Sequence, residues 1–410
     1  MLEITFNTNK EISIKNLDKN KNQLPVITQK ETQPFTFDEI YKAWESCNEN
    51  KKNDKTAIEF ESNLIPNLNQ LLYDINNHKY IIQLADCFII NEPSIREVFA
   101  SQYRDRVVHH LLILEIGSLL NSIFINNTYS CRDNLGNLKA VEKVMSHRNI
   151  LKAKGDVFFL KIDLSGYFMS INRKLLTEML YQIIDLFYNG NHYEYIIYLI
   201  NIIINTDITQ NCIFKSPKGK WKDLPDRKSL FKSGENGLPI GDLTSQWFSN
   251  LYLYFLDTIY RQDKYKNKIF YNRYVDDIIV LSNDSSILRE FLNDFKSLST
   301  YLRVKVNNKK TIIRPINYGI HFLGKVIYED HVLLSKRNIN KLYRSLKHLE
   351  GKNILSVFNS RIGDIKRFQC YNLINDFAEK AVKEYPFLEF KYPKFYVKEG
   401  CVIPENYKTK

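Results

Sequence analysis

Two adjacent carboxylates, Asp276 and Asp277, stand between short apolar runs in the stretch FYNRYVDDIIVLSND, and they constrain this chain more than any other feature. The flanking Tyr, Val, Ile and Leu residues read as two strands joined by a turn. Strands disfavour Asp and neighbouring like charges repel, so folding alone gives little reason to place both there. A divalent cation gives a reason, because Mg²⁺ is usually held by one or two carboxylates together with substrate phosphates. A solvated β-turn reads the same locally, so the rest of the chain must decide.

A third carboxylate stands upstream at the end of its own apolar run. Asp163 follows FFLKI, a buried-strand pattern over 158–162, and Ser165-Gly166 reads as the turn that leaves it. Beside Asp276 it would complete a metal clamp; alone, it could simply cap an exposed turn. Between the two lies GLPIGDLTSQ at 237–246, where glycines and a proline precede a helix. Such a loop lets backbone approach a flat substrate closely, although a hinge ahead of a capped helix has the same composition.

The 410 residues suffice for a large core and two or three subdomains. A net charge of +12 points to a polyanionic partner, and the 13% aromatic content could supply stacking surfaces. Both also suit a basic protein with aromatic cores. The six cysteines form no CxxC pair, so neither a zinc site nor a disulfide framework is expected. The N-terminal residues lack a secretory pattern, and YIIYLINIIIN at 195–205 is too short to span a bilayer, so a cytoplasmic protein with no membrane association is expected. Residues 1–35 read as a polar arm. Helices are expected over 60–76, 105–120, 175–189, 194–205, 243–260 and 336–349, with a long polar loop over 207–236. On the last helix Ile339, Leu342, Leu346 and Leu349 make an apolar stripe. Arg337, Lys341, Arg344 and Lys347 line another face, a solvated surface or a track for a phosphate backbone.

Taken together, Asp163, the IGDLTSQ segment and YVDD resemble the ordered motifs of reverse transcriptases over residues 35–385. The resemblance implies an α+β right-hand polymerase: fingers over 36–155, a palm of antiparallel sheet and helices over 156–330, a helical thumb over 331–385 and a tail over 386–410. Ile240-Gly241…Ser245-Gln246 is similar to the version found in diversity-generating retroelements. YRDRVVHH, TYSCR, NCIFK, DLPDRKSLF, HFLG, LLSKR and SRIGDIKRFQCYNL look like the same group.

For the residues, the resemblance implies that Asp163, Asp276 and Asp277 are catalytic and hold two Mg²⁺ ions, with Mn²⁺ as the alternative. Phe168 occupies the steric-gate position against a nucleotide 2′-OH, which core packing alone would also explain. Gly241 and Gln246 would touch the incoming nucleotide, as would Lys310 and the fingers residue Arg96. The family's usual Lys near that Arg is absent, since position 94 is Ser94, and DNLGNLKA after Arg132 also departs from the family form. His109 and His110 read as packed helix residues. Implied partners are a template or non-coding RNA, a DNA or RNA primer, dNTPs, and a small basic accessory protein or a second copy. Two bacterial or phage-encoded roles follow: diversification of a target gene, taken as the leading one, and antiphage defence with a non-coding RNA. An inactive RNA-binding scaffold is the remaining reading, opposed by the intact carboxylates.

Overall fold

The apolar runs around the paired aspartates form the two adjacent strands expected of them. In the computed structural model, which describes residues 2–6, 12–16, 32–49, 54–91, 94–132, 134–347, 349 and 353–407, Phe270–Tyr274 and Asp277–Ser282 make an antiparallel hairpin. Phe158–Ile162 pairs antiparallel with the second of these strands, and Ile312–Pro315 closes the far edge of this four-stranded sheet. Side chains alternate between faces with period two. Leu160, Ile162, Ile278 and Val280 enter one core, while Phe159, Ile279 and Leu281 enter another. Burial on both faces explains why these strands read as continuous apolar runs.

The first core is covered by helices Phe37–Asn48, Leu64–Asn76, Tyr103–Ile123, Arg173–Phe187, Tyr193–Asn205, Leu243–Asp257 and Ser285–Tyr301. Their starts are written locally: Thr36 and Glu39 make a reciprocal capping box, and Asn172 and Asp284 cap their helices. The second core joins Asn137–Lys152 to the C-terminal helices Lys336–Arg344, Ile354–Ile365 and Tyr371–Glu384. A three-stranded antiparallel sheet, Ile320–Phe322, Lys325–Ile327 and Val332–Leu334, buries Ile320, Phe322, Ile327, Val332 and Leu334 in the second core. The boundary expected at 330/331 therefore falls inside a sheet.

Several expected elements differ. The helix expected over 60–76 is two, Lys55–Glu61 and Leu64–Asn76. Pro66 explains the break, because in one continuous helix it would remove a bond to the Ser62 carbonyl and clash with it, whereas in a first turn it does neither. The helix expected over 336–349 ends at Arg344, after which Leu346 N and Lys347 N make tighter i→i−3 bonds. The last turn of the expected 243–260 helix is likewise 3₁₀, Thr258–Arg261. The expected tail contains the hairpin Leu388–Lys391/Lys394–Val397, whose Leu388 and Phe395 are buried in the second core. In the expected arm, Leu2–Phe6 pairs antiparallel with Ile12–Asn16. The other arm residues through 31, and residues 408–410 of the tail, lie outside the described residues.

Residues 207–236, expected as a loop, form a packed strap. Cys212–Phe214 adds a parallel strand to the hairpin Ala85–Ile90/Arg96–Ala100. Ile208 and Leu230 then join Ala85, Cys87, Phe99 and Met169 in a small third core. Among the described residues no helix is long and apolar enough to cross a membrane.

Candidate active site

Pairing of Tyr274 with Asp277 leaves Val275 and Asp276 as a two-residue hairpin turn. Such turns require positive φ, normally from Gly or Asn. Here Val275 supplies it at φ 53°, a conformation costing a β-branched residue about 1–2 kcal/mol. A buried network holds the turn in place. Arg273 Nη1 donates to the Val275 carbonyl at 3.0 Å and to Asn250 Oδ1 at 3.0 Å. Its Nε donates to Asp257 Oδ1 at 2.7 Å, and Nη2 to Asp257 Oδ2. The Tyr271 hydroxyl donates to the same carboxylate at 2.6 Å. Asn250 Nδ2 donates to the Ser130 carbonyl, which ties TYSCR to the helix Leu243–Asp257.

Asp163 lies one residue past the Ile162–Ile278 pair, at the turn's end of the sheet. Asn307 grips it twice: the side-chain amide donates to Asp163 Oδ2 at 2.8 Å, and the backbone N–H donates to its carbonyl at 2.8 Å. Asp276 is exposed toward the cleft yet closely surrounded by protein. Desolvation, then the charge of Asp277, then that of Asp163 push its carboxyl up to about 6. Asp277 lines the same cleft as Asp163 and Asp276. Its Oδ1 is ion-paired with Lys161 Nζ at 3.0 Å, and among the described residues no three Asp, Glu, His or Cys side chains converge closely enough to hold a metal. The carboxylates of the cleft are these three aspartates, and Asp276 is crowded by the negative charge of the other two. That set suits a cation which keeps waters and takes further ligands from substrate phosphates, as Mg²⁺ does.

The same cleft is lined by Phe168, Gly241, Gln246, Arg96 and Lys310, all expected there. Lys309, the sequence neighbour of Lys310, does not line it. Phe168 lines the cleft and also packs against two of the cores, as the core-packing reading expects. Gly241 has φ 142°, and a Cβ there would sit 2.4 Å from the Phe99 carbonyl oxygen, so only glycine fits. The Gln246 side chain accepts from Cys131 Sγ at 3.1 Å. His109 is buried, 2.7 Å from Thr244 Oγ1 and 3.7 Å from Asp242, and His110 contacts Ser46 Oγ. Arg337, Lys341, Arg344 and Lys347 are all exposed, but Lys347 lies beyond the helix and none of the four lines the cleft.

Sequence reasoning missed Arg273, Asn307, Arg227 and Lys228. A charged residue inside an apolar strand was the available signal for Arg273. Asn307 looks like any turn residue, and its role depends on Asp163, 144 residues away. Arg227 and Lys228 line the cleft from within the strap.

A family model described as reverse transcriptase (RNA-dependent DNA polymerase) matches residues 93–327. Among curated proteins the chain is similar to the Retron Ec83 reverse transcriptase of Escherichia coli. The two are 26% identical over 234 residues, covering 52% of this chain and 74% of that one. Among solved structures it is similar to apo telomerase from Candida tropicalis truncated from its C-terminal domain, at 13% identity and a TM-score of 0.48 over 62% of this chain and 55% of that one. It is also similar to Candida albicans telomerase in complex with a TWJ fragment of telomeric RNA, at 14% identity and a TM-score of 0.43 over 74% and 59%. The chain thus spans between half and two thirds of those telomerase chains.

Proposed function

Because the chain belongs to the reverse transcriptase family, we propose that it copies a structured or non-coding RNA into cDNA. The observation that carries this is the placement of Asp163 and Asp276 at one end of adjacent strands, on a cleft shared with Phe168, Gly241, Gln246 and Arg96. Two Mg²⁺ ions bound there would lower the pKa of an attacking 3′-hydroxyl and stabilise the leaving pyrophosphate. The protein's part is to hold the groups that meet them. Asn307 orients Asp163, the Arg273 network fixes the turn that presents Asp276, and Lys161 balances Asp277. Phe168 would meet the nucleotide sugar, and Gly241 and Gln246 the templating pair. In this reading the central sheet is the palm, the strap and the 85–100 hairpin belong to the fingers, and the C-terminal helices with their hairpin form the thumb. Arg337, Lys341 and Arg344 would track the RNA backbone.

Similarity to a retron enzyme favours the defence role over diversification of a target gene. The test is Mg²⁺-dependent primer extension on RNA, joined to sequencing of nucleic acid that copurifies with the protein. DNA copied from one non-coding RNA, together with a plaque phenotype that requires Asp276, supports the reading. A cDNA scattered at template adenines would restore diversification. Absence of extension on any RNA template would remove the enzymatic reading.

A further inference from the structure

The strap 207–236 is fastened with unusual care for a surface segment. Glu97, wholly buried on the strand Arg96–Ala100, accepts from Trp221 Nε1 at 2.6 Å, Ser229 Oγ at 3.2 Å and Leu230 N at 2.6 Å. Burying a carboxylate is costly unless its oxygens are bonded, and these three donors all come from the strap. Farther along, Arg173 Nε donates to the Glu235 carbonyl, and Gly237 N to the Ile171 carbonyl. The short 3₁₀ turn Asp226–Lys228 lies between the anchors at 221 and 229. It rests on the turn that follows Asp163. Gly166 there has φ 60°, and a Cβ on it would fall 2.2 Å from the Arg227 carbonyl oxygen, so any side chain would push the strap away.

This fastening delivers two cations to the cleft. Arg227 and Lys228 line it together with Arg96, Lys310, Asp163, Asp276 and Phe168. Lys228 Nζ donates to the Ile95 carbonyl at 3.3 Å, which puts its ammonium on the backbone between the uncharged Ser94 and Arg96. Among the described residues none of the four cations makes an ion pair with a carboxylate. Burial, and then the charges of Lys310, Arg227 and Arg96, lower the pKa of Lys228, opposed by Asp163. Cations gathered in one cleft with no carboxylate bonded directly to any of them gain from a polyanion.

We propose that Arg227 and Lys228 of the strap bind the polyphosphate of the incoming nucleoside triphosphate, completing with Arg96 and Lys310 a site that the hairpin alone leaves short of charge. The inference rests on the polymerase reading, and it names residues for substrate binding that lie outside the motifs around the aspartates. A nucleotide polyphosphate fits better than a nucleic-acid backbone. It gathers several charges in one small group, as these cations do, and it must lie beside Asp163 and Asp276 for phosphoryl transfer. A backbone phosphate carries one charge and would follow a groove.

The test uses the full chain with Arg227→Gln, Lys228→Met, the double variant and Lys228→Arg. In primer extension on RNA, each single variant should raise the KM for dNTP roughly tenfold and the double variant roughly a hundredfold. The kcat should change little, as for lost uniform binding. Lys228→Arg should recover most of the affinity, and the Kd for RNA template–primer should stay the same. In parallel, calorimetry with inorganic tripolyphosphate should find binding by the wild type that weakens at least roughly tenfold in the double variant. An unchanged KM, or a loss of RNA affinity in its place, overturns the proposal. If the wild type extends no primer, the polymerase reading fails and the titration decides alone. Equal or absent tripolyphosphate binding in wild type and double variant then overturns the site.

Discussion

Beneath the Val275-Asp276 turn the charges are matched, whereas along the strap they are left over. Arg273 and Asp257 are sealed in the core, each fully bonded by the other and by Tyr271 and Asn250. Arg96, Arg227, Lys228 and Lys310 face the cleft without carboxylate partners of that kind. Desolvating an ion pair is costly enough that a fold retains one mainly where its geometry is needed, and here it holds a strained turn. Charges meant for a ligand must stay at the surface. The first set should therefore control stability, and the second should control substrate affinity.

Replacing Arg273 should have the largest effect. Arg273→Met leaves Asp257 buried and unpaired, and should cost about 3–5 kcal/mol in chemical denaturation. Arg273→Met/Asp257→Leu should regain most of that stability but not activity, since the Val275 carbonyl is then unheld. If the single variant is as stable as the wild type, the network does not organise the floor.

The opposite face of the sheet provides a pH test. His147 is buried against Phe270, ring centroids 4.3 Å apart, and burial followed by the charge of Lys143 lowers its pKa from 6.5 to about 4. Between these values the unfolded chain binds the extra proton. The stability contribution is thus complete above pH 6.5 and is lost as pH falls toward 4, by about 3 kcal/mol. His147→Gln should flatten that part of the stability–pH curve, and an unaltered curve would place the titration elsewhere.

Gly241→Ala comes next. Its positive φ and the contact with Phe99 predict a loss of about 1–3 kcal/mol, together with impaired extension. Smallest of all, Arg227→Gln and Lys228→Met should leave stability within about 0.5 kcal/mol, because no carboxylate depends on them. A large destabilisation would erase the contrast between the floor and the strap.

Much of the site was legible because its signals are local. Adjacent aspartates in an apolar hairpin, an aspartate closing an apolar strand, and a glycine where backbone must pass close by are all readable from short windows. The C-terminal hairpin and the break before Pro66 were missed, although LEFK, KFYV and Pro66 are local signals too. What stayed hidden depends on distant partners. A polar segment such as 207–236 reads as a loop until Glu97, 133 residues from Leu230, is seen to hold it. The ion pair of Asp277 with Lys161 is likewise hidden until register places the two strands side by side. Adjacency in sequence signals a shared site, but it does not say on which of the two aspartates the reaction depends more.

That last distinction is open to one direct measurement. Mg²⁺-dependent extension of a primer on RNA should be compared for the wild type, Asp163→Asn, Asp276→Asn and Asp277→Asn. The first two variants should lose at least about a hundredfold in kcat, while Asp277→Asn, whose carboxylate is already paired with Lys161, should lose less. Metal-free Asp276→Asn should also melt no lower than the wild type, since a crowded charge has been removed. Extension that persists in Asp276→Asn would contradict the assignment of this cleft as the polymerase centre.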